Sequence, residues 1–229
     1  TLFLNLQKFE KIKIQKKNGE IKFENQLCLE NISFYYPDKS LEIFEELNLI
    51  IKKGEKVGIM GKTGLGKSTL IDILMGLIIP DTGKILVDKT DIHSNIEYWR
   101  SLIGLVPQQI NVLNGTIKEN IIFGRDNDLD ENLINKKISN AILLSEFDEV
   151  IKLSENGLNS IVGDKGLNLS GGQLQRLAFA RALYNNPNIL IFDEGTMYYR
   201  ILRSGRRESL GPIPFHDMPV VADKDTESE

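Results

Sequence analysis

The chain has 229 residues, of which 41% are hydrophobic and 26% are charged, the proportions of an ordinary globular protein. Its net charge of −4 gives no reason to expect nucleic acid as a partner. Because Cys28 is the only cysteine, the sequence excludes a disulfide framework and a cysteine zinc cluster.

Strand and helix patterns alternate along the chain. Apolar residues in segment 11–24 alternate around Asn18-Gly19, which predicts a hairpin. Further strands are predicted at residues 27–37, 55–61, 83–88 and 102–108. Segment 67–77 predicts a helix with an apolar face formed by Leu70, Ile71, Leu74 and Leu77. The pattern is mainly helical over 127–186 and ends in a strand at 188–194, so the chain as a whole predicts an α/β core.

A phosphate-binding turn is predicted at residues 61–69, GKTGLGKST, which match G-x-x-x-x-G-K-[ST] between a predicted strand and a predicted helix. Glycines in such a turn let successive backbone N–H groups point at an anion, and the helix N-terminus adds positive potential. The side chain of Lys67 can reach the β- and γ-phosphates, and the Ser68 hydroxyl can bind Mg²⁺. The alternative is a glycine-rich turn with a solvated lysine. We expect the nucleotide to contact Gly61, Lys62, Thr63, Gly64, Leu65, Gly66, Lys67, Ser68 and Thr69.

A second candidate lies at the start of the segment LSGGQLQRLAFARALYNN, residues 169–186. Ser170 and Gln173 fit a capping box in front of an Ala- and Leu-rich helix, which is a sufficient structural explanation. Ser170, Gly171 and Gly172 also offer a hydroxyl, flexible amides and a helix dipole to an anion. Together with the first turn, this helix start suggests two surfaces that meet around one nucleotide.

In their order, GKTGLGKST, LSGGQ and ILIFDE resemble the Walker A, signature and Walker B motifs of an ATP-binding cassette (ABC) ATPase domain of the exporter type. The similarity runs from about Ile21 to Gly195. Tyr36 in FYYP lies at the position of the family's adenine-stacking aromatic residue. Gln108 in VPQ resembles the glutamine of the Q-loop, with Gln109 as the alternative alignment.

Two further segments resemble exporter-type members of the family. They are LNGTIKENIIFG at 113–124 and VGDKG at 162–166, the latter similar to a loop that contacts the transmembrane domains. The resemblance therefore implies a transmembrane domain as partner and a location on the cytoplasmic face of a membrane.

The resemblance also implies ATP and Mg²⁺ as cofactors. Asp193 would hold Mg²⁺ through water, with Ser68 and Gln108 as further metal contacts. Glu194 would orient or deprotonate the attacking water, and the Gln108 amide would be a second catalytic contact to that water. The signature residues would act on a nucleotide held by a second nucleotide-binding domain, so that two domains close head to tail over two ATP molecules. These residues are Ser170, Gly171, Gly172 and Gln173.

The fold implied by the resemblance is an α/β P-loop NTPase core with a mixed, largely parallel sheet, an antiparallel N-terminal β-region and a helical subdomain at about 125–185. We expect residues 1–20 to be a linker from a preceding transmembrane domain. Residues 21–195 would form the nucleotide-binding domain, and 196–229 an atypical tail that is disordered or foreign.

The tail departs from the family pattern. Walker B is followed in the family by a Ser-Ala-Leu-Asp-type loop and later by a strand-borne histidine, and segment 196–229 contains neither. His216 follows Glu194 by only 22 residues and no buried strand precedes it. Residues 1–195 contain 19 asparagines and residues 196–229 none. We interpret the family sequence as ending near Gly195, with a divergent natural C-terminus as the alternative.

Three functions remain open at this point. The first is the ATPase motor of an ABC exporter, with hydrolysis in this chain doubtful because of the tail. The second is a non-transport ABC ATPase acting on chromosomes or ribosomes, which would require coiled-coil insertions or a second cassette. The third is a nucleotide-binding module that does not hydrolyse ATP. Only one Walker A motif is present and segment 108–169 is too short for a coiled coil, so we favour the first.

Overall fold

A computed structural model describes residues 21–36, 42–61, 64–123, 130–163, 166–193 and 220–221. The chain divides into two compact units. The first comprises the residues up to Glu55 together with Asp72–Arg100, and the second comprises Lys56–Ile71 together with the residues from Ser101 onward. The predicted hairpin turn at Asn18-Gly19 lies outside the described residues.

The strands are β1 (Gln26–Tyr35), β2 (Glu42–Lys52), β3 (Gly58–Ile59), β4 (Thr82–Val87), β5 (Thr90–Asp91), β6 (Ile103–Val106), β7 (Gly115–Thr116), β8 (Ile161–Val162), β9 (Ile189–Phe192) and β10 (Val220–Val221). The α-helices are α1 (Lys67–Leu74), α2 (Ile96–Ser101), α3 (Ile117–Ile122), α4 (Glu131–Ser145), α5 (Asp148–Leu153) and α6 (Gly171–Leu183). Short 3₁₀ helices occupy Ile92–Asn95 and Gly157–Asn159. No helix among these is long and apolar enough to cross a membrane.

The first unit contains a four-stranded antiparallel sheet in the order β2-β1-β4-β5. The buried residues of β1 change phase from Leu27 and Leu29 to Ile32 and Phe34. This change is explained by a register shift between Leu29 and Ile32, where Asn31 has a φ of 51°. The predicted antiparallel N-terminal β-region is therefore present.

A two-residue turn between β4 and β5 holds the start of β1. Asp88 and Lys89 have φ angles of 45° and 77°, as a tight hairpin turn requires. The Asp88 carboxylate accepts backbone N–H groups from Gln26 at 2.8 Å, from Asn25 at 2.9 Å and also from Glu24. Desolvation raises the pKa of Asp88, but these hydrogen bonds outweigh it and hold that pKa below its usual value.

Helix α1 is shorter than predicted. A Schellman motif ends it, since Gly76 N–H donates to Ile73 O at 2.9 Å and Leu77 N–H donates to Asp72 O at 2.8 Å, with Gly76 at a φ of 65°. Leu77 is consequently exposed, so its predicted place on the apolar helix face is wrong.

Helix α2 covers the C-terminal end of α1 in the first unit. The buried Trp99 donates its Nε1–H to Leu74 O at 2.8 Å, and Arg100 donates from Nη2 to Gly76 O at 2.6 Å. Both acceptors lie where a helix end leaves carbonyl oxygens without intrahelical partners. The side chains of α2 therefore cap α1.

The second unit contains the parallel pairs. Strand β6 pairs with β9, and β3 pairs with β10. Helices α4, α5 and α6 lie in the stretch predicted to be helical, and α6 is buried almost all round because Leu177, Ala178, Phe179 and Ala180 are all inaccessible. Apart from Val220–Val221, segment 196–229 lies outside the described residues, so its predicted disorder stays a prediction.

Candidate nucleotide-binding site

The turn between β3 and α1 has the backbone that a phosphate cradle requires. Gly64 and Gly66 have φ angles of 91° and 88°, a conformation that residues with a Cβ rarely adopt. Helix α1 begins directly after the turn, at Lys67, so its first N–H groups and the positive end of its dipole lie at the turn. The predicted contacts Lys62 and Thr63 lie outside the described residues.

The Lys67 side chain lies against this turn. Its Nζ donates to Gly61 O at 2.8 Å, which places the ammonium group beside the loop rather than in bulk solvent. Ser68 is exposed in the first turn of the helix, whereas Thr69 is buried. A positive charge, two glycines with positive φ and a helix N-terminus together fit a phosphate group.

Gln108 and Asp193 follow two neighbouring strands. Strands β6 and β9 pair in parallel from Ile103↔Ile189 to Val106↔Phe192, and Asp193 N–H donates to Val106 O at 3.0 Å. Both side chains therefore follow the carboxyl edge of the same strand pair. Glu194, the predicted catalytic carboxylate, lies outside the described residues.

The described residues offer few side chains that could bind a metal ion. Within the described ranges no group of three or more His, Cys, Asp and Glu side chains could hold a metal ion. Mg²⁺ typically binds through one or two protein oxygens, waters and substrate phosphates. Ser68, Gln108 and Asp193, the predicted metal contacts, are described residues whose side chains could contribute such oxygens.

The start of α6 forms the predicted capping box. Ser170 N–H donates to Gln173 Oε1 at 2.8 Å, and Gln173 N–H donates to Ser170 Oγ at 3.3 Å. Gly171 and Gly172 are exposed, neither has a positive φ, and a Cβ on either would meet no atom of the described structure within 4 Å. Within the part of the chain that the structure describes, nothing requires glycine at these two positions.

Tyr36 belongs to the first unit, whereas the phosphate turn and the signature residues belong to the second. Its ring packs edge-to-face on Phe34 with centroids 4.9 Å apart, and the side chain is half-buried. The predicted stacking of Tyr36 on adenine stays a prediction.

A pocket of about 450 Å³ lies in the second unit beside the loop predicted to contact a transmembrane domain. It is lined by Val112, Val162, Gly163, Gly166, Leu167, Asn168, Leu169 and Leu174. The lining of this pocket therefore includes residues of that loop as well as the residues on either side of the signature motif.

Sequence reasoning missed two polar residues of the second unit, Asn120 and Arg181. The partners of Arg181 lie 61 and 70 residues away, so no local pattern marks this residue, whereas Asn120 bonds both to Arg181 and to Leu113 and Thr116 in its own segment. Their only sequence signal is a charged and a polar side chain inside largely apolar helices.

Comparison with known proteins identifies the family of this chain. Residues 44–197 match the ABC transporter family. The chain belongs to the ABC transporter family.

Relatives of this ABC domain are found in bacteria, plants and animals. The chloroplastic ABC transporter B family member 29 of Arabidopsis thaliana is 41% identical over 192 residues, which are 83% of this chain and 29% of that protein. The human ATP-binding cassette sub-family B member 5 is 43% identical over 76% of this chain and 14% of its own length. The leukotoxin translocation ATP-binding protein LktB of Mannheimia glucosida is 42% identical over 81% of this chain and 25% of its length.

A solved structure of a bacterial Atm1-family ABC exporter with ATP bound resembles this ABC domain with a TM-score of 0.64 and 36% identity. The match covers 74% of this chain and 29% of that one. The predicted family and its α/β P-loop fold are thereby confirmed, and members of the family are ATPases coupled to transport. The chain spans less than a third of the length of each of these relatives.

Proposed function

We propose that this chain is the ATP-binding motor domain of an ABC exporter, which drives transport when two such domains close head to tail over MgATP. Its partners are an ABC transmembrane domain and a second nucleotide-binding domain, and it works at the cytoplasmic face of a membrane. Family membership supports nucleotide binding, and the relatives named for translocation or export support the exporter class.

In this proposal the residues divide the work at each nucleotide. Lys67 and the backbone N–H groups of the 61–69 turn bind the phosphates, and Tyr36 stacks on the base. Ser68, Gln108 and Asp193 hold Mg²⁺, Asp193 through water, and Glu194 orients the attacking water or accepts a proton from it. When bound, the metal supplies charge stabilisation at the phosphate oxygens.

The observation that carries the proposal is the pair of signature glycines. Gly171 and Gly172 occupy the first turn of α6, where alanine would favour the helix by up to ~1 kcal/mol at each position. Their φ angles and surroundings do not require glycine. A requirement for close approach of another molecule to this backbone explains them, and a nucleotide held by a second domain meets that requirement.

The pocket beside 162–166 supports the transmembrane partner. Its lining presents more polar than apolar surface, with Leu167 exposed, and suits a mixed polar and apolar segment of a cytoplasmic loop of that partner.

Replacing Gly172 with alanine should stabilise the chain slightly and abolish MgATP-dependent dimerisation. The added methyl group favours helix α6 by about 0.5–1 kcal/mol but occupies the surface that faces the second nucleotide. Thermal unfolding and sedimentation velocity, with and without MgATP, measure the two effects on the same samples.

The matched control is Asn140→Ala on the exposed face of α4, which should also stabilise a helix while leaving dimerisation intact. Normal MgATP-dependent association of the Gly172→Ala chain would rule out the signature role. A wild-type chain that binds no MgATP would overturn the proposed function itself.

Hydrolysis by this chain should be slow. Segment 196–229 contains no Ser-Ala-Leu-Asp-type sequence, and its histidine, His216, follows Glu194 by only 22 residues without a preceding pattern that predicts a buried strand. Phosphate release by the wild-type chain should therefore lie close to that of Glu194→Gln, with Lys67→Ala as the background. A steady wild-type rate that Glu194→Gln abolishes would contradict this expectation.

A further inference from the structure

Arg181 joins the signature helix to the segment that follows Gln108. Its Nε donates to Asn120 O at 2.8 Å, its Nη1 to Asn111 O at 2.9 Å and its Nη2 to Asn120 Oδ1 at 3.0 Å. The guanidinium also lies over the Phe123 ring, 4.6 Å from its centroid. Three donors in fixed directions thus hold both ends of the 111–120 segment, Asn111 and Asn120. A lysine ammonium cannot reproduce this geometry.

The Asn120 side chain forms hydrogen bonds within the same segment. Its side chain is fully buried, its Oδ1 accepts from Leu113 N–H at 2.9 Å, and its Nδ2 donates to Leu113 O and Thr116 O, both at 3.0 Å. The amide therefore uses both of its donors and its acceptor. Loop 113–116 and helix α3 are held as one piece by this side chain, and Arg181 attaches that piece to α6.

The acceptors of Arg181 are neutral amide oxygens. Desolvation lowers the pKa of the Arg181 guanidinium. The ordinary pKa of arginine is so high that the group nevertheless keeps its charge. A half-buried charge without a carboxylate among these acceptors is costly unless its hydrogen bonds are well made. The three bonds offset that cost and fix one arrangement of the segments that they join.

We propose that Arg181 and Asn120 are positioning residues that fix signature helix α6 to the segment after Gln108, so that a displacement of this segment moves the signature motif. The inference rests on the proposed function, which gives Gln108 and Ser170 their roles. Asn111 lies three residues after Gln108, and Arg181 lies on the same helix whose N-cap is Ser170.

Apolar packing alone would not provide this link. Helix α6 also packs through Leu177 and Phe179 in the apolar core, but hydrophobic contact is non-directional and lets surfaces slide. The guanidinium fork specifies both the register and the orientation of α6 against the 111–120 segment. A shift at one end is therefore transmitted to the other rather than absorbed between them.

The test compares the full chain carrying Arg181→Lys with the full chain carrying Arg100→Lys. Arg100 is the matched control, because its guanidinium also donates to two backbone carbonyls at a helix end, those of Met75 and Gly76. Hydrogen–deuterium exchange is measured first without nucleotide. Arg181→Lys should raise exchange both in 111–116 and in 171–176, whereas Arg100→Lys should raise it in neither.

Sedimentation with MgATP measures dimerisation, which a purely structural role of Arg181 would not change. Arg181→Lys should weaken MgATP-dependent dimerisation about tenfold, while the affinity of the single chain for MgATP stays within about twofold. Faster exchange in only one of the two segments, or unchanged dimerisation of a folded Arg181→Lys chain, would overturn the proposal. If the wild-type chain binds no MgATP, the proposed function fails, and the exchange result alone then decides whether the link exists.

Discussion

Replacing Lys67 with alanine should weaken MgATP binding by about 100-fold. The Lys67 ammonium lies at the phosphate turn, 2.8 Å from Gly61 O, and can donate to the phosphate oxygens from there. Hydrogen bonds to charged groups contribute up to ~3 kcal/mol, which corresponds to roughly this factor in affinity. Isothermal titration of the full chain with MgATP measures the loss directly.

A surface lysine supplies the control for this substitution. Lys152 forms an exposed i,i+4 ion pair with Asp148 at 2.8 Å on α5, and its loss should change stability by no more than ~0.5 kcal/mol. Lys152→Ala should therefore bind MgATP like the wild type. If Lys67→Ala bound within threefold of the wild type, the phosphate site would have to lie elsewhere.

Replacing Trp99 with alanine should destabilise the first unit by about 5 kcal/mol. The indole is fully buried, and large-to-small substitutions of buried tryptophan cost ~3–5 kcal/mol through lost contacts and the cavity left behind. The substitution also leaves Leu74 O without its 2.8 Å hydrogen bond, which adds the cost of an unsatisfied buried carbonyl. Urea unfolding measures this loss, which is comparable to the whole stability of a typical domain.

Trp99→Phe separates packing from hydrogen bonding. Phenylalanine keeps most of the buried ring but cannot donate to Leu74 O, so a smaller loss of about 2 kcal/mol is expected. A Trp99→Ala chain within 1 kcal/mol of the wild type would show that the end of α1 does not depend on α2. Because α1 begins at Lys67, its fraying would also be expected to weaken MgATP binding.

Part of the site could be predicted because some of its residue types are required by their neighbours in the sequence. The glycines of the 61–69 turn are needed where the backbone turns with positive φ, and Gly64 and Gly66 have that conformation. The capping box of Ser170 and Gln173 involves residues three apart, so its pattern is visible in the chain. Such features depend on neighbours in sequence, and a short motif contains all of their partners.

Some elements could not be predicted because their sequence pattern is weak. Strand β2 contains Glu42, Glu45 and Glu46 and has no fully buried residue, so the alternation of half-buried Leu47, Leu49 and Ile51 is only a weak sequence signal. It is a strand because it pairs with β1 over most of its length, at the edge of the sheet. The end of α1 at Leu74 likewise depended on the backbone conformation of Gly76.

The sequence by itself determined the family and the α/β class, and it predicted the nucleotide-binding motifs, because these follow from contiguous residue patterns. Only the tertiary structure decided that Trp99 caps α1, that the described fold leaves space for a Cβ at each signature glycine, and that Arg181 reaches Asn111 and Asn120. The partners of Arg181 lie 61 and 70 residues away, and a contact at that separation exists only once the chain has folded. The geometry and the burial of this contact then set its contribution to stability, and neither can be read from the order of the residues.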